Sequence, residues 1–214
     1  MIDGLHTALQ QALRDAGLPV PDGPLQPLPD SGLAHAHLRL PGTGWLARVP
    51  KQSQLGLTAA DHLAYEAACF RQAASSGHAP RLHAVLPPSD KLPRGALLVD
   101  EIQGRPLRLP ADLPALVAAL AALHALPLPA QRAPLIDPPD PLQALWAEIT
   151  AQSSHLAAAA LPPAAQRRID EELSDLAQRA RMANRPPKRL IAFDAHPGNF
   201  LVDGQGRAVL VDLE

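Results

Sequence analysis

The sequence predicts an α+β chain, long enough for one large domain or two lobes, with a β-rich part first and a mainly helical part second. Three observations carry this reading. Short β-rich runs cluster in the first half of the chain, at 33–40, 45–49, 82–86 and the start of 96–105. Runs with helical spacing fill most of the next eighty, at 111–126, 142–159 and 163–183. The chain then closes on two apolar runs, 200–202 and 208–211, around a Gly-containing turn, which is the pattern of a β-hairpin. The division expected is 1–103 for the β-rich lobe and 104–214 for the helical one.

The elements follow in order. Leu5, Leu9, Ala12 and Leu13 sit at helical spacing in 3–17, and Gly17 is a stop signal. Residues 18–30 are rich in proline and read as extended. Residues 33–40 and 45–49 form two strands around the Pro41-Gly42-Thr43-Gly44 turn. The helix over 58–75 has Thr58 as its cap, Leu63, Ala67 and Phe70 on one face, and Gly77 as its terminator. His78 to Arg81 lead into the strand 82–86, and 96–105 runs from a buried-type strand into a polar turn. A strongly apolar helix over 111–126 ends on Leu123-His124. The proline-rich connector 127–141 acts as a spacer. Two further helices follow, the second with Arg and Glu at i,i+4 spacing.

Composition narrows the function classes. The chain has 214 residues, 47% of them hydrophobic, and a net charge of -2, which fits a soluble globular protein with a sizeable core. No basic excess points to nucleic acid. No run of 18 apolar residues or signal core points to a membrane or to export. Cys69 is the only cysteine, which excludes an intrachain disulfide and fits a reducing cytoplasm. In its helical setting it reads as core filler.

The chemistry concentrates in the last 27 residues, 188–214. Asp194 and Asn199 lie five apart in a loop containing His196-Pro197-Gly198. The following hairpin brings Asp212 back beside that loop, so two carboxylates and an amide oxygen converge. Such a set suits phosphoryl transfer, in which the protein mainly positions groups and neutralises charge. Mg²⁺ takes hard oxygen ligands, which Asp212 and Asn199 supply. Asp194 would orient a substrate hydroxyl and accept its proton. His196 reads as a loop-shaping residue and Glu214 as a further contact near the metal. A Pro/Gly-rich loop before an ordinary hairpin with solvated acids is the bland alternative.

The D-x-x-x-x-N spacing, the H-P-G-N run and the closing V-D-L-E resemble the aminoglycoside phosphotransferase and choline kinase family, which has a protein-kinase-like fold. The resemblance runs from about Gln26 to Glu214. It implies ATP (or GTP) and Mg²⁺ as cofactors and a small-molecule hydroxyl as acceptor. It places Arg48 where the fold keeps a cation for the α- and β-phosphates, with Lys51 as a weaker substitute. Glu66 is placed to pair with that cation. Residues 96–105 become the hinge, whose Glu101 carbonyl and Ile102 amide would meet adenine. His124 becomes a structural residue in an L-H-x-x-P helix ending. Ser31-Gly32 is either the remnant of a phosphate-covering loop or an ordinary turn.

Three features depart from the family's usual H-G-D-x-H-P-x-N then D-x-E. Ala192-Phe193 replaces His-Gly, removing a buttress that positions the catalytic aspartate. The strand cation is Arg48 rather than lysine. The chain also stops two residues after the metal aspartate, whereas family members continue with helices that complete the larger lobe, so a truncated sequence is expected. A nucleotide-binding pseudokinase or regulatory protein is the competing reading, and a metal-dependent hydrolase a distant third. Neither acceptor nor oligomeric state is legible.

Overall fold

Alternation along the strands decides how the first half of the chain packs. The computed structural model describes residues 2–29, 34–53, 55–182, 184–192 and 194–213. Ser31-Gly32, Leu33, Phe193 and Glu214 lie outside the described residues. Helix α1 (Ile2–Asp15) comes first, then β1 (Gln26–Pro27), β2 (His35–Leu40) and β3 (Trp45–Pro50). Helix α2 (Ala59–Ala74) precedes β4 (Leu82–Leu86) and β5 (Ala96–Asp100). These strands form one antiparallel sheet in the order β1-β2-β3-β5-β4.

Successive strand residues point to opposite faces, and both faces are covered. Leu38, Leu40, Ala47, Val49, Ala96 and Leu98 cluster with Leu9 and Leu13 of α1. Leu97 and Val99 join Leu63, Ala67 and Phe70 of α2 in a second cluster. A strand buried on both sides reads as a continuous apolar run, as 96–99 does. Thr58 caps α2 by accepting from the Asp61 amide, as expected.

The second cluster also contains the end of the chain. Strand β6 (Gly104–Pro106), helix α3 (Leu113–His124), β7 (Phe200–Asp203) and β8 (Ala208–Leu210) surround it. Leu116, Ala119 and Leu123 of α3 pack with Phe200, Val202 and Leu210. β6, β7 and β8 form a separate three-stranded antiparallel sheet. The hairpin was legible in the sequence, but β6 was not, because its stretch read as a polar turn. A Cβ on Gly104 would lie 2.6 Å from the Val202 carbonyl oxygen, so only glycine permits this approach. Arg105 then pairs bidentately with Asp112 at 2.6 and 2.8 Å, fixing the path from β6 into α3.

The strand β8 is also tied to the segment after α2. The Leu210 amide donates to the His78 carbonyl at 2.8 Å, and His78 Nδ1 donates to the Ala208 carbonyl at 2.8 Å. The closing hairpin is thereby anchored to the same helix that covers the first sheet.

The chain divides into two compact units, Met1–Leu135 with Arg189–Glu214, and Ile136–Lys188. The expected 103/104 boundary lies inside the first unit. The second unit pairs α4 (Pro141–Ser153) with α5 (Pro163–Arg181). Asp140 caps α4 and takes an ion pair from Arg185 at 2.8 Å. The expected helix over 142–159 ends at Ser153 and gives way to a 3₁₀ turn, Leu156–Ala159. Leu161 precedes Pro162, and a residue before proline disfavours helical backbone, so the run cannot continue into α5. Among the described residues, no helix is long and apolar enough to cross a membrane.

The Gly104 contact yields a test. Gly104→Ala forces β6 away from β7 and lowers unfolding free energy by about 1–3 kcal/mol, the usual cost of overpacking. Urea unfolding of both proteins measures it, and an unchanged midpoint would contradict the close approach.

Candidate active site

The loop that holds Asp194 and Asn199 is shaped by its own side chains. His196 caps a 3₁₀ turn, Pro197–Asn199, by accepting from the Gly198 amide through Nδ1 at 3.0 Å. A Cβ on Gly198 would sit 2.6 Å from the His196 ring, so glycine lets the imidazole fold over the turn. The Asn199 amide donates to the His196 carbonyl at 3.0 Å, and the His196 amide to the Asp194 carbonyl at 2.9 Å. His196 is therefore the loop-shaping residue its H-P-G setting suggested.

Three of the singled-out residues are brought together here. Asn199 Nδ2 donates to the Asp194 carbonyl at 2.8 Å and to Asp194 Oδ2 at 3.3 Å. With the amide nitrogen committed to Asp194, the amide oxygen is the atom left for a cation. The Val211 amide donates to the Asn199 carbonyl at 2.9 Å, which sets Asp212 beside the loop. The Asp194 side chain is 64% exposed, open to an incoming group. At the site of the missing family histidine, the Ala192 amide donates to Nε2 of His124 at 3.3 Å. A histidine thus holds the loop after all, from the end of α3.

Arg48 comes from β3 and is almost wholly buried, on the sheet face that looks toward α2. Its Nη2 pairs with Asp212 Oδ1 at 2.5 Å, and its Nη1 donates to the Val211 carbonyl at 2.9 Å. The guanidinium lies 5.2 Å from the centroid of the Phe70 ring, a cation–π arrangement. The sequence placed Glu66 as the partner of Arg48, and the structure corrects that pairing. Fully buried Glu66 instead meets His35, Oε1 to Nε2, at 2.5 Å. The physical reason lies in the guanidinium. It offers several donors in a planar fork, so it reaches the Val211 carbonyl and the Asp212 carboxylate together, whereas an ammonium acts as a single point charge. Lys51 is exposed at the end of the same strand region.

Burial alone would favour the neutral form of Asp212. The Arg48 charge and hydrogen bond outweigh it and hold the carboxyl below its ordinary range. Asp212 is consequently an anion at neutral pH, as a metal ligand must be.

Glu101 and Ile102 follow β5 on the connection to β6. The Glu101 amide donates to the Gly44 carbonyl at 2.8 Å, and its side chain pairs with Arg39. Among the described residues, the Glu101 carbonyl and the Ile102 amide make no main-chain hydrogen bond. A cavity of about 370 Å³ touches both residues together with Arg81, Asp100, Asp203 and Arg207. None of Arg48, Glu66, Asp194, Asn199 or Asp212 lines it. It is a space beside the connection, separate from those five residues.

Three histidines escaped the sequence reading. His35 and His37 project from the same face of β2, and His37 is directly opposite Arg48 across the β2–β3 ladder. His62 and Glu66 are four apart on α2, with His62 Nε2 3.7 Å from Glu66 Oε1. The signals were present as an i,i+2 pair on a strand and an i,i+4 pair on a helix. Only the packing of α2 on the sheet joins them. Burial is the main reason the His62 imidazole titrates below its ordinary range.

The Arg48–Asp212 pair makes a pH prediction. A carboxyl held low in the folded state contributes stability above about pH 4, its unfolded range, and loses it as pH falls through the folded value. Asp212→Asn should flatten the acid limb of stability against pH. It should also destabilise the protein at pH 7, because buried Arg48 loses its counter-charge. The cost falls below the ~3–5 kcal/mol of fully buried pairs, since the Asp212 side chain is 35% exposed. Urea midpoints of both proteins between pH 3 and 7 measure both effects.

Comparison with known proteins bears on the family and the fold. Residues 37–214 match the model of a family described as "Phosphotransferase enzyme family". No curated protein matches the chain. Among solved structures, a choline/ethanolamine kinase family protein from Mesorhizobium loti is similar at 20% identity and a TM-score of 0.59, covering 97% of this chain and 64% of that one. The macrolide 2'-phosphotransferase MphH from Brachybacterium faecium aligns at 18% identity and a TM-score of 0.57, over 96% and 70% of the two chains. A thermostable mutant of aminoglycoside phosphotransferase APH(4)-Ia, in ternary complex with AMP-PNP and hygromycin B, aligns at 18% identity and 0.64, again over 96% and 70%. The chain therefore spans about two thirds of the length of these structures, and its fold is the protein-kinase-like one they share. On the match over residues 37–214, the chain belongs to the phosphotransferase enzyme family.

Proposed function

We propose that the protein is a small-molecule kinase that moves the γ-phosphate of ATP (or GTP) to a substrate hydroxyl with Mg²⁺. The observation that carries this reading is the convergence of Asp194, Asn199 and Asp212 through the Asn199 side chain and the Val211–Asn199 main-chain bond. The donor set fits a hard cation: one carboxylate held ionised and one amide oxygen whose nitrogen is otherwise engaged. Asp212 and Asn199 would hold Mg²⁺, which when bound neutralises charge on the phosphate oxygens.

The remaining roles belong to the chain itself. Asp194, exposed and oriented by Asn199, holds the acceptor hydroxyl and takes its proton. Arg48 supplies the phosphate-binding cation, presented by β3 at Asp212. Glu66 supports Arg48 from α2 through an intervening histidine. Glu101 and Ile102 offer a main-chain carbonyl and amide to the base, with unused hydrogen-bonding capacity among the described residues. A reducing cytoplasm and a small hydroxylated acceptor, rather than nucleic acid or membrane, complete the reading.

One observation favours the alternative of a nucleotide-binding protein with impaired turnover. Arg48 lies 2.5 Å from Asp212 Oδ1, an oxygen that a metal ion would claim, so cation and metal compete for it. Turnover separates the two readings.

Two measurements test the proposal. ATP with MgCl₂ should raise the thermal midpoint of the wild type by an amount that grows with ligand concentration, and Asp212→Ala should abolish that rise. A folded wild type with no Mg²⁺-dependent shift would sink the kinase reading. In a screen of hydroxyl acceptors with radiolabelled ATP, Asp194→Asn should lower kcat by about 10²–10⁴ with nucleotide binding intact, as loss of a general base does. Equal rates in Asp194→Asn and the wild type would remove Asp194 from that role.

A further inference from the structure

Between the α2 carboxylate and the β3 cation stands a buried histidine whose own role the proposed chemistry does not define. His35, Arg48 and Glu66 are all at most 2% exposed. His35 Nε2 lies 2.5 Å from Glu66 Oε1, and its Nδ1 lies 3.4 Å from Arg48 Nη2. That same Nη2 is the atom paired with Asp212. The imidazole therefore links one carboxylate to the cation that meets the other.

The hydrogen-bonding roles follow from chemistry. A guanidinium can only donate and a carboxylate can only accept. His35 must accept through Nδ1 and donate through Nε2, so it is the neutral Nε2–H tautomer. A second proton would set an N–H against the Arg48 donors. His37 Nε2, 3.3 Å from Arg48 Nη1, must likewise accept. His62, also facing Glu66, lies at 3.7 Å, and among the described residues Glu66 Oε2 has no hydrogen-bond partner. His35 is thus the close donor to a fully buried carboxylate. Among the described residues, no group of three or more His, Cys, Asp or Glu side chains is placed to hold a metal.

We propose that His35 is a positioning residue that couples Glu66 to Arg48 and holds the guanidinium toward Asp212 and the nucleotide phosphates. The inference rests on the nucleotide-binding reading of this site. A direct carboxylate–guanidinium contact would engage the donors of Arg48 on α2. With a neutral ring between them, Glu66 steadies Arg48 at one remove, and Nη1 and Nη2 remain directed at the Val211 carbonyl and Asp212. Asp212 would serve as a ligand of bound Mg²⁺, and the Arg48 donors would then face phosphate oxygens with no carboxylate of α2 competing for them. Removing the ring leaves Glu66 without its close donor and draws Arg48 back toward it.

The probe is MgADP, which carries the α- and β-phosphates, titrated calorimetrically into the 214-residue chain as wild type, His35→Ala, His35→Gln and the double variant His35→Ala/Glu66→Gln. His35→Ala should weaken Kd by about tenfold. His35→Gln, which keeps one donor and one acceptor, should recover to within about threefold of wild type. The double variant should bind no more weakly than His35→Ala, because the carboxylate that draws Arg48 away is gone. A purely structural histidine would lower the thermal midpoint and leave Kd unchanged in the folded variants, which overturns the proposal. So does a folded His35→Gln as weak as His35→Ala. If His35→Ala does not fold, ¹⁵N NMR of the wild-type imidazoles decides, since an Nδ1–H tautomer or a doubly protonated His35 contradicts the bridge. No MgADP binding by the wild type removes the nucleotide reading itself, and the inference falls with it. Normal wild-type binding with an indifferent His35→Ala removes the inference alone.

Discussion

A buried cation organises the functional half of this protein. Arg48 sits on the sheet face covered by α2, where an unpaired charge would cost several kcal/mol, so the fold must bring an anion to it. That anion is Asp212, 164 residues along the chain, delivered by the closing hairpin. The pair ties the first sheet to the last strand and keeps Asp212 ionised against the effect of burial. Stability and the proposed metal chemistry therefore depend on one contact. The hairpin cannot detach without exposing both the charge pair and the apolar cluster around Phe200 and Leu210.

The choice of arginine over lysine has structural consequences beyond charge. A guanidinium can address a carboxylate, a main-chain carbonyl and ring nitrogens at the same time. Here it does so with Asp212, Val211, His35 and His37, and its face lies over Phe70. The surroundings have adapted to the larger group, with two histidines on β2 and Glu66 held one residue away. The catalytic loop shows a related substitution. Ala192 cannot hydrogen-bond through its side chain, and His124 of α3 takes its main-chain amide instead. In both places the residue type expected at one position is supplied from another element.

Most of the fold was legible because its signals are local. The continuous apolar run 96–99, the Thr58 cap and the two apolar runs around Asp203 to Gly206 each report on neighbouring residues. Strand β6 was not, since Gly104-Arg105-Pro106 has no strand propensity and is extended only because β7 offers its edge. The end of α4 at Ser153 was also missed, since the alanine-rich stretch after it carries no proline or glycine stop signal before Pro162.

The sequence by itself determined the residue types and spacing of the catalytic loop, from Asp194 through Asn199 to Asp212, because a turn and a hairpin bring near neighbours together wherever they occur. It determined too that His196 would shape that loop. Tertiary structure alone decided which buried charges meet. Arg48, Glu66, His35 and Asp212 lie on three elements and a terminal segment, and sequence spacing carries no distance between them. The packing of α2 on one face of the sheet, with the final hairpin against the same core, gave Arg48 to Asp212 and His35 to Glu66.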